Sequence, residues 1–375
     1  MNRLWMCLAG AAALALPGLA LAGSISPATY TDTIDVGETI SVDKTVTTDV
    51  GGASKVDVFF LADNTGSMGG TISAVATNAA AILNASVFTG LDIGWGVGRY
   101  FGDPSEGVGG GGAYDVLQTI TTNHTDVQTA INAWIASGGG DTPEANLYAL
   151  QQAATEGAAT AGGVSSGEAT GWRTGTQRIV AWFGDATGHT ETLGLDETIA
   201  ALTGAGVTVV GFNSSAISGF GIDGTYGADA RNQASTIVAG TGGSLVNNFL
   251  SLSSSELVDA IVGAISTAAA NLDLHFGTSG DTSGLNIAFI CTDALGCDGV
   301  PGGESRTFRM DVTGVTAGTY DFSVFAAGVD AVERDHITVG GGSIGVPEPP
   351  VLLLFGLGLL GLVAVAEHRR RRPLG

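Results

Sequence analysis

Three short segments of the sequence carry oxygen side chains at spacings that suit a divalent cation. The first contains Asp63, Thr65 and Ser67, which place one carboxylate and two hydroxyl groups at alternate positions. Such oxygens are hard ligands, and Mg²⁺ or Mn²⁺ binds them in a near-octahedral array. Taken alone, this segment is also compatible with a helix cap, so the metal-site interpretation depends on partners elsewhere in the chain.

Two further segments supply those partners. Residues 139–144, Gly-Gly-Asp-Thr-Pro-Glu, precede a predicted helix, and Pro143 suits its first turn. Asp185 follows the apolar run 179–183, which is typical of a buried strand. Parallel α/β sheets bind ligands beyond the carboxyl ends of their strands, so all three segments are expected at one edge. Buried acids such as Asp63 and Asp185 are costly without a partner, which favours a bound cation.

The elements that would position these segments lie within residues 51–270, where strand-like and helical patterns alternate. Continuous apolar runs predict buried strands, and apolar residues three and four apart predict helices. The predicted strands cover 56–62, 91–101, 178–184 and 207–212, and the predicted helices cover 72–83, 127–135, 144–154, 195–202 and 254–269. This order predicts an α/β fold of the Rossmann-like type, a doubly wound and mostly parallel sheet covered by helices.

The two flanks of this α/β region have short alternating segments and no helical pattern. Residues 23–50 predict two strands around a turn, and residues 271–342 predict several more. Each flank is too small to bury a core alone. We therefore expect the flanks to pair into one small β-sandwich, with the α/β domain inserted between its strands. The alternative is two independent β regions.

The N-terminal residues 1–22 have the pattern of a secretory signal peptide. Arg3 gives a short basic start, the run 4–19 is largely apolar, and Ala20-Leu21-Ala22 has the form of a signal peptidase site. A buried helix is the alternative, although the apolar run is too short to span a bilayer. The pattern predicts an exported protein that is processed by signal peptidase.

Residues 346–375 have the order Pro-Glu-Pro, apolar helix and arginine cluster. The apolar run covers 351–366, and the arginines at 369–372 would hold its far end on the cytoplasmic side. This order resembles the PEP-CTERM sorting signal of Gram-negative bacteria. The resemblance implies transient insertion in the inner membrane, recognition by an exosortase, and delivery to the cell surface or an extracellular matrix. A plain C-terminal membrane anchor is the alternative.

The charge and the cysteines narrow the choice of partners and compartment. The formal net charge is −22, which disfavours electrostatic binding to nucleic acid or anionic lipid and suits a protein that binds cations. Cys291 and Cys297 remain after signal-peptide removal. In an oxidising compartment, such a pair predicts one disulfide that closes a short loop. A redox or metal role is disfavoured because no second pair of Cys or His lies nearby.

Together, the three oxygen-rich segments resemble the metal-ion-dependent adhesion site of the von Willebrand factor A family. In this sequence the order Asp-x-Thr-x-Ser, then Gly-Asp-Thr, then an Asp at a strand end is similar to the three ligand loops of that family. The resemblance implies that a metal ion is held by Asp63, Thr65, Ser67, Thr142 and Asp185, some of them through water.

Within that family, the sequence is most similar to the A-type domain of integrin β subunits. The similarity rests on the run 96–103, the Asp-Thr-Pro-Glu loop and the spacing after Asp185. It implies that Glu144 contacts the metal, and that Asp103 and Asp141 help to hold a second cation, Ca²⁺. The sequence has Gly139 where those domains have an Asn of the second site. Whether Thr142 or Glu144 is the direct ligand stays open.

These features favour a binding module over an enzyme. In the resembled family, the cation keeps one coordination position for an acidic side chain of a protein or matrix partner. A second hypothesis is a structural component of the extracellular matrix in which the metal only holds the loops. A metal-dependent hydrolase is disfavoured because no suitable general base accompanies the metal loops.

Overall fold

The computed structural model describes residues 22–106, 112–139, 142–158, 168–191, 193–215 and 220–341. The predicted signal peptide, apart from Ala22, and the predicted sorting signal at 346–375 lie outside the described residues, as does Asp141. Within the described ranges, no helix is both long and apolar enough to cross a membrane.

The secondary structure follows the chain in three groups. The first flank contains β1 (Ser24–Ser26), β2 (Thr29–Asp35) and β3 (Thr39–Thr47). The α/β region contains β4 (Lys55–Asp63), α1 (Gly69–Leu83), β5 (Asp92–Tyr100), β6 (Tyr114–Thr121), α2 (His124–Asn132), α3 (Asn146–Ala154), β7 (Gln177–Gly184), α4 (Leu195–Gly204), β8 (Val207–Asn213), α5 (Gln233–Gly240), β9 (Ser244–Val246) and α6 (Ser254–Ala270). The second flank contains β10 (Asn271–Leu272), β11 (Phe276–Gly280), β12 (Leu285–Cys291), β13 (Val300–Pro301), β14 (Ser305–Gly314), β15 (Gly318–Ala326) and β16 (Val332–Gly340).

The α/β region is built on a six-stranded sheet with the order β6-β5-β4-β7-β8-β9. All its neighbours pair in parallel except β6, which is antiparallel to β5. Parallel sheets need both faces covered, and β4 is buried along almost its whole length. The predicted α/β class with a mostly parallel sheet is confirmed.

Helices cover both faces of this sheet, and the side chains of β4 alternate between two cores. Phe60 packs in one core with residues of α1, α2 and α6, including Val75 and Ile261. Phe59 and Leu61 pack in the other core with residues of α3, α4 and α5. This alternation follows from the two-residue period of a strand, and it explains why the sequence of β4 is apolar throughout.

The flanking strands form two four-stranded sheets, and each sheet takes strands from both flanks. Their orders are β1-β3-β14-β12 and β11-β15-β16-β2. Inward side chains of the two sheets form one cluster that includes Ile34, Val42, Met310, Phe322 and Ile337. The flanks therefore share one sandwich around the α/β region, and they are not two independent β regions. At the end of β12, a disulfide joins Cys291 and Cys297.

Two predicted helices have different limits in the structure. The helix predicted at 127–135 is α2, which begins at His124 because the Asn123 side chain accepts a hydrogen bond from the Thr125 backbone and caps it. The helix predicted at 144–154 begins only at Asn146. Glu144 instead pairs its backbone with the loop after β7, donating to Thr187 and accepting from His189.

Candidate metal centre

The first oxygen-rich segment is a tight loop between β4 and α1. Asp63 is the last residue of β4, and a short 3-10 helix at Gly66–Met68 leads into α1. Asp63 Oδ1 accepts a hydrogen bond of 2.8 Å from the Thr65 backbone N–H. The hydroxyl oxygens of Thr65 and Ser67 lie 3.3 Å apart. The loop therefore gathers one carboxylate and two hydroxyls at the carboxyl end of the central strand.

Asp185 reaches the same place from the adjacent strand. It directly follows β7, which pairs in parallel with β4 so that Ala62 lies opposite Phe183. The Ser67 hydroxyl donates a hydrogen bond of 3.1 Å to Asp185 Oδ1. Because the two strand ends are level, Asp63, Ser67 and Asp185 meet at one edge of the sheet.

Glu144 joins this group through the loop that precedes α3. Its side chain is buried, and Oε2 accepts a hydrogen bond of 2.6 Å from the Gly102 backbone N–H. Gly139 separates Glu144 from the first loop: a Cβ on Gly139 would lie 3.3 Å from Glu144 Oε1 and 2.9 Å from Thr65 Cγ2. A side chain at Gly139, whose φ is +72°, would therefore crowd the space between the two residues.

Thr142 and the second predicted cation site have weaker support. Thr142 is exposed, and no hydrogen bond joins it to the other five predicted ligands in the described part of the chain. Asp103 accepts a hydrogen bond of 2.8 Å from the Ser105 backbone, and bonds from Ser105 lower the pKa of the Asp103 carboxyl. Its predicted partner Asp141 lies outside the described residues, so a Ca²⁺ site there stays a prediction.

Burial destabilises the ionised form of both aspartates in the site. Burial raises the pKa of Asp63 to about 7, and the nearby Asp185 adds to the rise while the bond from Thr65 opposes it. Burial also raises the pKa of Asp185, against the bond from Ser67. Asp63 Oδ2 is buried and lacks a hydrogen-bond partner of ordinary geometry among the described residues. An unpartnered buried carboxylate oxygen is costly, and a cation would compensate it.

The donors of this centre are mixed, since two of them are hydroxyl groups. Among the described residues, no three His, Cys, Asp or Glu side chains are grouped so that they could hold a metal by themselves. Carboxylates supplemented by hydroxyls are the donors that Mg²⁺ accepts, and Mg²⁺ also keeps several waters. The donor set and the unpartnered oxygen of Asp63 fit a small hard cation.

Two residues that support the centre were not singled out from the sequence. Asn64 accepts hydrogen bonds from the backbones of Ile135 and Ser137, and its own N–H donates to the Tyr100 carbonyl. The Tyr100 hydroxyl donates to the Phe183 carbonyl at 3.1 Å, beneath Asp63. The sequence places Tyr100 at the end of a strand, and its hydrogen bond to Phe183 depends on the pairing of strands across the sheet.

Similar solved structures have low sequence identity and low TM-scores. A von Willebrand factor type A protein from Catenulispora acidiphila is 14% identical, with 86% of this chain and 74% of that chain covered and a TM-score of 0.39. The proximal thread matrix protein 1 of the mussel byssus is 14% identical, with 61% and 50% covered and a TM-score of 0.38. The pilus adhesin SpaC of Lactobacillus rhamnosus GG is 11% identical, with 80% and 46% covered and a TM-score of 0.35. The chain thus spans about half the length of the last two proteins.

Family models match two separate parts of the chain, and no curated protein matches it. Residues 57–162 match the von Willebrand factor A domain, which covers the first two ligand loops. Residues 345–371 match the PEP-CTERM protein-sorting motif. The chain therefore carries a von Willebrand factor A domain and, after the β-sandwich, a PEP-CTERM sorting motif.

Proposed function

We propose that this is an exported surface or matrix protein that binds an acidic group of a protein or matrix partner through a divalent cation, Mg²⁺ or Mn²⁺. The observation that carries the proposal is the buried Asp63 carboxylate at the edge it shares with Ser67 and Asp185; its Oδ2 lacks a hydrogen-bond partner of ordinary geometry among the residues that the structure describes. The protein is a binding module, not an enzyme, in this proposal.

Each residue of the centre has a distinct part in this proposal. Asp63 supplies the most deeply buried charge, and the Thr65 backbone fixes its orientation. Ser67 is exposed and Asp185 is half-buried, so a partner can reach that side of the centre. The position of Glu144 beside Thr65 favours it over Thr142 as the ligand from its loop. The cation, when bound, supplies positive charge and one coordination position for the carboxylate of a partner.

The sorting motif supports the proposed location. A PEP-CTERM motif at residues 345–371 supports processing by an exosortase and delivery to the surface of the producing cell. The net charge of −22 suits a role in which the bridge to an acidic partner needs a cation. Without that cation, the like charges of the two surfaces would repel each other.

A second candidate is a structural matrix component in which the cation only fastens the loops. Backbone hydrogen bonds already join the three loops, from Gly66 to Gly138, from Ser137 to Asn64 and from His189 to Glu144. In this candidate, chelation lowers thermal stability and leaves the binding of every partner unchanged.

The proposal is tested by retention of the immobilised mature protein on partners from the surface fraction of the producing organism. We expect retention in Mg²⁺ that is lost in EDTA and restored by added Mg²⁺. The variant D63N should lose it, whereas D259N, which removes the same charge from the exposed face of α6, should keep it. Undiminished retention in excess EDTA would show that the partner is not bound through a cation.

A further inference from the structure

A lysine occupies a core position of the β-sandwich. Strand β3 alternates, and its inward positions are Val42, Lys44 and Val46. The Lys44 side chain is 0% exposed. Burying an ammonium group in such surroundings is costly unless an acidic side chain pairs with it. Lys44 therefore needs acidic partners from the facing sheet.

Two acids meet Lys44 from the opposite sheet. Glu333 and Asp335 lie two residues apart on β16, and both point inward because a strand has a period of two. Lys44 Nζ lies 2.5 Å from Glu333 Oε2 and 3.9 Å from Asp335 Oδ2, and all three side chains are fully buried.

This trio holds one more buried acid than an ion pair with Lys44 needs. One acid suffices to neutralise one lysine, yet a second acid is buried beside them. Among the described residues, Oε1 of Glu333 and both carboxylate oxygens of Asp335 lack a hydrogen-bond partner of ordinary geometry. The cost of desolvating buried charges is compensated only when their remaining lone pairs also accept hydrogen bonds, and these oxygens lack such bonds of ordinary geometry. The arrangement is better suited to a reaction than to a salt bridge.

We propose that Lys44 and Asp335 are joined in the mature protein by an intramolecular amide bond, and that Glu333 transfers the protons of the reaction. The Lys44 ammonium gives a proton to the Glu333 carboxylate, and the resulting amine attacks Cγ of the protonated Asp335 carboxyl. The C–N bond forms, the C–OH bond breaks, and the hydroxyl leaves as water with a second proton from nitrogen, relayed by Glu333. The products are one amide, one water and a protonated Glu333, so atoms and charge balance.

The surroundings favour this condensation in three ways. Burial raises the pKa of Asp335 to about 7, with Lys44 opposing the rise and Glu333 adding to it, so near neutral pH a large share of the carboxyl is in the acid form that an amine can attack. The cross-strand neighbours of the trio include the buried side chains of Phe308, Val324 and Phe322, and the half-buried Tyr30 of β2 lies opposite Asp335. The apolar side chains exclude water. The strands hold the amine near the Asp335 carboxyl, so the reaction does not carry the entropic cost of bringing two free groups together.

The link would connect the two flanks covalently. Lys44 precedes the α/β region, and Asp335 follows it in β16, the last strand of the part that the structure describes. The inserted von Willebrand factor A domain would then lie inside a closed covalent loop. A pulling force applied at the two ends would be carried by the amide instead of by the hydrogen bonds of the sandwich.

The test is the intact mass of the secreted, disulfide-reduced chain. We expect it to be lower than the mass of its residues by one water. The variants K44M and E333Q should have their full mass, and D335N should lose one ammonia instead of one water. Trypsin should not cut after Lys44, and the digest should contain a branched peptide that joins Lys44 to Asp335.

Lys55 provides the matched control. It pairs with Asp330 at 3.0 Å, but both side chains are exposed, so K55M should keep the water deficit of the wild type. Recovery of Lys44 and Asp335 in separate wild-type peptides, with the chain at full mass, would overturn the proposal. That result is read from the wild type, so it does not depend on the folding of any variant. A deficit that persists in E333Q would overturn the part assigned to Glu333.

Discussion

Asp63 is the side chain of the candidate centre whose ionisation costs the folded protein most, because its carboxyl is buried. Its pKa is about 7 in the folded protein, against an ordinary value of 3.8. The folded protein binds the proton of this carboxyl more tightly than the unfolded chain does. The resulting contribution to stability is complete below the pKa of the unfolded chain, and it is lost as the pH rises through the pKa of the folded protein. The shift corresponds to about 4 kcal/mol at pH values above 7. A cation beside Asp63 would remove this cost, because it favours the charged form.

The pH dependence of stability should therefore report on this carboxylate. In EDTA, we expect the free energy of unfolding to fall by about 2–3 kcal/mol as the pH rises from about 5 to about 8. D63N, which cannot ionise, should lose most of this fall, and saturating Mg²⁺ should do the same in the wild type. Urea unfolding at both pH values gives the measurement. An equal fall in D63N would assign the effect to other groups.

At the scale of elements, the site could be predicted where it depends on strand order. The ends of β4 and β7 lie side by side in any sheet of this order, so Asp63 and Asp185 were expected at one edge. The role of Asn64 could not be predicted, because its bonds to residues 135 and 137 depend on how the loop after α2 folds back.

Asn64 gives a test of loop positioning that removes no ligand. N64A deletes the acceptor for the part-buried Ile135 backbone N–H, so we expect a loss of about 0.5–1.5 kcal/mol in stability and weaker Mg²⁺ binding. Asn78 is the control, since among the described residues its side chain bonds to the carbonyl of Ala74 within α1 alone. Thermal unfolding and calorimetric titration of N64A and N78A measure both effects. Unchanged Mg²⁺ affinity in N64A would show that the loop after α2 does not shape the site.

The sequence patterns did not single out β16 or β6. β16 has Glu333 and Asp335 at inward positions, so its apolar alternation is broken and it was not distinguished among the strands expected in residues 271–342. β6 was missed for a different reason: as an edge strand it is mostly half-buried, and it has neither a continuous apolar run nor a clean alternation. By contrast, β4 was predicted closely because both its faces are buried.

At the scale of the whole molecule, stability depends on the two flanks meeting. β3 pairs with β14 over nine residue positions, from Thr39–Thr313 to Thr47–Ser305. Deletion of residues 23–50 would leave the paired edge of β14 and the inner face of the sandwich open to water. We expect the shortened chain to aggregate and to lose cooperative unfolding, as measured by size-exclusion chromatography and circular dichroism.

The disulfide provides the contrast to that deletion. The double variant C291S/C297S keeps every strand and opens only a short loop, since the two residues are six apart. We expect it to stay monodisperse and to lose about 2 kcal/mol of unfolding free energy. If the deletion were as mild as the double variant, the α/β region would be stable without the sandwich.

Calorimetric titration of Mg²⁺ into the chelator-treated and dialysed protein tests the central claim most directly. The wild type and D259N should take up Mg²⁺ at a site that D63N lacks, because only D63N removes the buried carboxylate at the end of β4. Equal uptake by the wild type and D63N, or no uptake of Mg²⁺ or Mn²⁺ by the wild type, would contradict a cation site at this edge of the sheet.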